Sequence, residues 1–120
     1  MPLLDMVGCT SLHTTFYVAL VFLSAERQED YIWALTALNN ALQKHEIIPP
    51  AVVLTDREAA LINALGTVIP TATNLLCCWH INKNIAAHCK AGLSAADWAR
   101  LERDLGAIWS CTSTEAFNQA

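Results

Sequence analysis

Three apolar segments of different period follow one another between residues 14 and 54, and they constrain the fold more than any other feature of this chain. Thr14–Leu23 is rich in β-branched and aromatic residues and reads as a strand. Tyr31, Ala34, Leu35, Leu38 and Leu42 then recur at helical spacing, which predicts an amphipathic helix to about His45. Glu29 and Asp30 stand where acids favour a helix start, and Ile48-Pro49-Pro50 stops it. Ala51–Leu54 follows as a short run too apolar for an edge strand. A helix between two strands is a crossover, so parallel pairing and an α/β sheet are expected. Upstream, Leu3–Cys9 is apolar apart from Asp5, and Gly8 and Ser11 mark a turn, so this segment and Thr14–Leu23 are expected to form a hairpin.

The second half changes character. Arg57–Leu65 reads as a helix ending at Gly66, Asn74–Cys78 as a short strand, and Ile81–Cys89 as a helix with Ile81 and Ile85 on one face. Ser94-x-x-Asp97 resembles a capping box and opens a helix with Trp98, Leu101, Leu105 and Ile108 on one face. Thr112-Ser113-Thr114-Glu115 starts one more helix. The chain thus drifts from α/β to all-α around residue 80, and no internal repeat is visible.

Composition narrows the class. With 120 residues the chain holds one domain at most, and 54% apolar against 15% charged residues makes it core-rich. So little charge leaves little to cover a surface, and some apolar faces are expected to meet partners. No apolar run reaches the eighteen or so residues of a membrane span. Met1-Pro2-Leu3-Leu4 lacks a basic start and meets Asp5 at once, so it does not read as a secretory leader. Five cysteines without a framework spacing predict reduced thiols. Net charge is −4; residues 1–56 hold six acids against Arg27 and Lys44, and residues 57–120 balance five against five. Neither half is a basic nucleic-acid arm.

Two motifs carry chemistry. Asp56 ends the apolar run Ala51–Leu54-Thr55 and precedes a helix. Beyond the carboxyl end of a strand, an acid projects from a rigid support and suits Mg²⁺, which takes oxygen ligands. Two such metals can align an attacking water and a leaving oxygen in phosphoryl transfer. Capping of the helix at Arg57 is the plainer role for Asp56, and both can hold together. Cys77-x-x-His80, with His88 and Cys89, invites a zinc site. If residues 80–89 form one helix, His88 lies about 12 Å along the axis from His80, whereas ligands of one zinc sit within about 2.3 Å of it. Cys77 in the core and His80 hydrogen-bonded near a strand end is therefore preferred to zinc. Asp5, in a strand, is not assigned a catalytic role. Glu26, Glu29 and Asp30 read as a solvated helix start, and Trp33, Trp79, Trp98 and Trp109 as core or interface anchors. Asn82, Lys83 and Asn84 are able to contact phosphate, but one lysine does not make a DNA site.

Taken together, these residues resemble the Mutator-like element (MULE) transposases, whose catalytic domain has a ribonuclease H-like fold. Leu54-Thr55-Asp56-Arg57-Glu58-x-Ala60-Leu61 is similar to the segment carrying the second acid of the family's DDE triad, and Cys77-x-Trp79-His80-Ile81-x-Lys83-Asn84 to its C-x-x-H signature. Met1–Gly8 looks like the second strand, Phe16–Trp33 like the third strand and its helix. The resemblance implies a partial ribonuclease H-like core over residues 1–92, lacking the first, central strand, and the start of an all-α insertion over 93–120. It implies Asp56 as a ligand of Mg²⁺ or Mn²⁺ in the intact enzyme, transposon-end DNA as substrate, and a nuclear location. Cys77 and His80 would shape the site or the nearby core.

The resemblance also marks what these residues do not match. The first acid belongs to the strand before the Pro-Leu-Leu segment, the third to a glutamate after the insertion; Asp5 and Glu115 match neither. One acid of three predicts an inactive fragment of a transposase that binds no metal of its own. Leu3–Cys9 and Ala51–Leu54 would each face a gap with an unpaired edge, which predicts marginal folding and self-association. A non-catalytic, domesticated protein- or DNA-interaction module is the second reading, and a small zinc-binding protein the third.

Overall fold

The computed structural model describes residues 1–119 and divides the chain into two compact units, Met1–Leu75 and Leu76–Ala120. The first is mixed α/β. Strands β1 (Leu3–Cys9) and β2 (Thr15–Phe22) form the expected antiparallel hairpin, followed by α1 (Gln28–Lys44), β3 (Val52–Thr55), α2 (Ala59–Val68) and β4 (Thr73–Leu76). Leu3 pairs with Phe22 and Met6 with Ala19, but Val7 pairs with Tyr17, so Val18 is the extra residue of a bulge. Past the bulge Gly8 faces Phe16, whose ring occupies the space a Cβ on Gly8 would need. The turn is held by Thr10, whose hydroxyl accepts from the amides of Leu12 and Thr14, and His13 supplies the left-handed residue at φ 59°.

Helix α1 buries Tyr31, Ala34 and Leu35 and half-buries Leu38 and Leu42, the face its periodicity predicts. Its first turn is not simply solvated. Ser24 Oγ donates to Asp30 Oδ1 and Arg27 Nε to Asp30 Oδ2, and these contacts, the Ser24 hydroxyl first, hold the Asp30 carboxyl below its ordinary value of 3.8. Its last turn closes in a Schellman arrangement, Ile47 N donating to Leu42 O at 2.9 Å and Glu46 N to Gln43 O at 3.1 Å. Glu46 occupies the left-handed position at φ 56°.

Several element ends differ from expectation. Helix α2 begins at Ala59, not Arg57, because Glu58 is its cap: Glu58 Oε1 accepts from Ala60 N at 3.2 Å. It also runs through Gly66 to Val68, since the buried Ala64 and Leu65 anchor the turn beside that glycine. Strand β4 ends at Leu76, and Cys78 already begins the next helix.

The sheet differs more. Strands β1–β2 form one two-stranded sheet and β3–β4 another, so among the described residues no strand pairs across α1. The crossover pair spans α2 instead. Thr73 N donates to Ala51 O at 2.8 Å, placing the start of β4 beside the start of β3, as in a parallel pair. Strand β3 is consequently an edge despite its apolar sequence. One core serves both sheets: Leu4 and Met6 of β1, Val21 of β2 and Val53 of β3 pack on the cluster of Leu23, Tyr31, Ala34, Leu35, Ala64 and Leu65. The opposite faces stay bare, with Leu3, Val7, Leu20, Phe22, Val52, Leu54 and Leu75 all exposed.

The second unit is helical: α3 (Cys78–Cys89), a short 3₁₀ turn (Lys90–Gly92), α4 (Ala95–Trp109) and α5 (Thr114–Gln119). Ser94 caps α4 by accepting from Asp97 N at 3.2 Å, as expected, but Asp97 Oδ2 accepts from the Ser94 hydroxyl at 2.6 Å and not from its backbone N–H, so only half of a capping box forms. Trp98, Leu101, Leu105 and Ile108 form its half-buried stripe. Ile81 and Ile85 do the same for α3, and Trp109 Nε1 ties the two helices by donating to Asn82 Oδ1 at 3.0 Å. No residue described in this unit is fully buried.

Candidate functional site

Asp56 stands where its sequence context puts it, directly after β3 and exposed. It does not cap α2 itself. Its Oδ1 accepts from Glu58 N at 3.2 Å, an Asx turn one step before the helix, and Glu58 then caps the first turn. Asp56 Oδ2 has no hydrogen-bond partner among the described residues, and the residue is exposed.

The strand end beneath it is clamped from β4. Asn74 Nδ2 donates to Val53 O at 3.2 Å and to Thr55 Oγ1 at 3.0 Å, and Thr55 is buried. Sequence reasoning marks Asn74 only as a strand boundary. The signal available is its type, since asparagine is depleted in strands and is retained there for a bond it makes. Tyr31 lies within range of the same corner. Burial pushes its hydroxyl pKa up, and the charges of Glu26, Glu58 and Asp56 push it further.

Cys77 and His80 belong to the second unit. Cys77 is the half-buried cap position of α3, making no side-chain capping bond, rather than a core residue. His80 is exposed on the first turn and packs edge-on against Trp79, centroids 4.8 Å apart, in place of the hydrogen bond expected near a strand end. Helix α3 is continuous from Cys78 to Cys89, which is the premise of the argument against a shared zinc for His80 and His88. His88 Nδ1 sits 2.8 Å from Asn84 O. Of the core and interface roles expected for the four tryptophans, the core role does not hold: Trp33, Trp79 and Trp109 are exposed and Trp98 is half-buried. Asp5 faces out from β1 opposite Leu20.

Among the described residues no three of His, Cys, Asp and Glu are grouped to hold a cation. Asp56 fits one ligand of a divalent metal, and the described residues do not complete a ligand set. No helix among them is long and apolar enough to cross a membrane.

Comparison with known proteins follows the same residues. The model of the MULE transposase domain family matches residues 1–84, which include both Asp56 and the Cys77–His80 motif. A stretch of 90 residues is 29% identical to part of the PKS-NRPS hybrid synthetase cheA of Chaetomium globosum, covering 75% of this chain and 2% of that protein. So small a share of the synthetase says nothing of its chemistry here. No solved structure matches.

Proposed function

The chain belongs to the MULE transposase domain family, and from that membership we propose that it is a segment of a ribonuclease H-like DNA-transposing core in which Asp56 is one of three metal-holding acids. The observation that carries this reading is Asp56 itself: an exposed carboxylate beyond the end of β3, between the Asx turn to Glu58 and the strand end that Asn74 clamps, inside the matched residues. Support for the fold comes from the two open edges. Strands β1 and β3 are each paired on one side only and rest on the same pair of helices. A strand inserted between them would give one sheet with the order β2-β1-x-β3-β4.

In this reading residues 1–92 belong to the core and 93–120 open a helical insertion. The metal is Mg²⁺ or Mn²⁺, the substrate is transposon-end DNA, and the place of action is the nucleus. When bound, the metal pair would activate water and stabilise the leaving oxygen. This chain's own contribution is to hold one carboxylate rigidly at a strand end. In this reading Asp56 is the one acid of the triad matched within residues 1–120. Excision tests this in an active MULE transposase whose matched segment is replaced by residues 1–84. The chimera is expected to excise its element and to lose at least roughly 100-fold on Asp56→Asn, a loss on the order of that for other groups acting at the transition state. Excision unchanged by Asp56→Asn would sink the assignment.

A second reading, a non-catalytic interaction module, has one observation in its favour. The bare sheet faces, with Phe22 64% and Leu54 67% exposed, are the kind of apolar surface that partners cover. The same surfaces and edges favour self-association.

A further inference from the structure

The second unit holds a groove of about 380 Å³ that neither the triad nor the Cys-x-x-His motif uses. Its walls include three tryptophans, Trp79 from α3 and Trp98 and Trp109 from α4, with Asn82, Lys83 and Glu102 among them. Three indoles around one opening are costly to leave in water: Trp79 is 58% and Trp109 40% exposed. The position of Trp109 is set by its Nε1, which donates to Asn82 Oδ1. Lys83 Nζ lies 4.8 Å from the centroid of Trp79, and Lys90 Nζ lies 5.2 Å from that of Trp98. Neither lysine has a carboxylate partner among the described residues, whose ion pairs are Arg27–Asp30 and Arg100–Asp104.

We infer that this groove takes an unpaired nucleobase of single-stranded DNA, stacked on Trp79 and Trp109, with its phosphate on Lys83. The choice of DNA rests on the proposed function; the choice of an unpaired base rests on the groove. A second cation is a poor occupant, because it would displace Lys83 from Trp79 and offer it no partner but Glu102, whereas a nucleotide that displaces Lys83 offers it a phosphate. A neutral planar base has a π-face for any exposed indole, and its phosphate draws an ammonium that has no other counterion. The volume suits one nucleotide, whereas in a duplex the base faces are stacked away from any protein ring. Spacing gives a partial signal: Trp79 and Lys83 are i and i+4 on one helix face, but the sequence does not bring α4 to them.

Binding of a fluorescein-labelled eight-nucleotide oligothymidylate to the 120-residue chain, in EDTA, tests this without involving metal at Asp56. Saturable binding is expected, quenching tryptophan emission and at least roughly tenfold tighter than for a duplex of the same length. Trp79→Ala and Trp109→Ala are each expected to weaken it roughly tenfold. Lys83→Gln is expected to lower the salt slope, log K against log salt, by about 0.7. Trp109→Phe, which keeps an aromatic face, guards against misfolding and should retain most of the affinity. Equal affinity for single strand and duplex overturns the inference, as does an absence of saturable binding. Quenching by tetramethylammonium but not by the oligonucleotide would assign the groove to cations and overturn it too.

Discussion

Asn74 shows how one side chain supports a site it does not enter. Its two amide hydrogens reach Val53 O and Thr55 Oγ1, joining β4 to the end of β3 just before Asp56. Asn74→Ala leaves a partly buried carbonyl and hydroxyl unpaired, so a loss of about 1–3 kcal/mol is expected in urea unfolding. Asn74→Leu would be no better tolerated, because shape is kept while both bonds go. Tyr31 carries a pH signature. Its hydroxyl pKa is raised above 10.0 in the folded chain, by burial first and then by Glu26, Glu58 and Asp56. A raised value means stability that is complete below about pH 10 and lost as pH rises through the folded value. Tyr31→Phe should therefore flatten the alkaline arm of stability against pH, measured by thermal melts between about pH 8 and 11. Asp56 is legible at this scale because an acid after an apolar run is a local pattern. Its Asx turn is not, since the choice between capping a helix directly and turning one step earlier depends on Glu58 reaching Ala60.

At the scale of elements, periodicity locates α1, α3 and α4 and the face each one covers, whereas the 3₁₀ turn Lys90–Gly92 has no counterpart in the sequence reading. Ends are less legible. Gly66 reads as a stop, yet burial of Ala64 and Leu65 against the core carries α2 past it. The end of α1 offers a clean test. Glu46 holds the left-handed position of the Schellman turn, a conformation that costs a side chain with a Cβ and costs glycine nothing sterically. Glu46→Gly should raise stability by about 1 kcal/mol, read as a shift in urea midpoint at unchanged slope. Strand pairing is the least legible feature. The hairpin is local, and its own residues predict it. Pairing of β3 is non-local, and nothing in Val52–Thr55 says that β4, and not the hairpin, supplies its partner.

For the molecule as a whole, the resemblance read from Asp56 and the Cys77–His80 motif agrees with the family match over residues 1–84. The resemblance comes from two motifs in combination; composition alone gives only a core-rich α/β chain. That composition finds its explanation in the first unit, where one face of each sheet is covered by α1 and α2 and the other presents Leu3, Leu20, Phe22 and Leu54 to solvent. Sedimentation velocity should show concentration-dependent association, weakened by Phe22→Lys paired with Leu54→Lys, and a monomer at all concentrations would count against association through the bare sheet faces. The most direct measurement of Asp56's proposed role supplies Fe²⁺ in place of Mg²⁺ to the chimera proposed above and maps where hydroxyl radicals made at a bound metal cut the backbone. Cleavage at residues 55–58, lost on Asp56→Asn, is the expected result. Cleavage confined to other segments, or unchanged in Asp56→Asn, would contradict the placing of a metal at this acid.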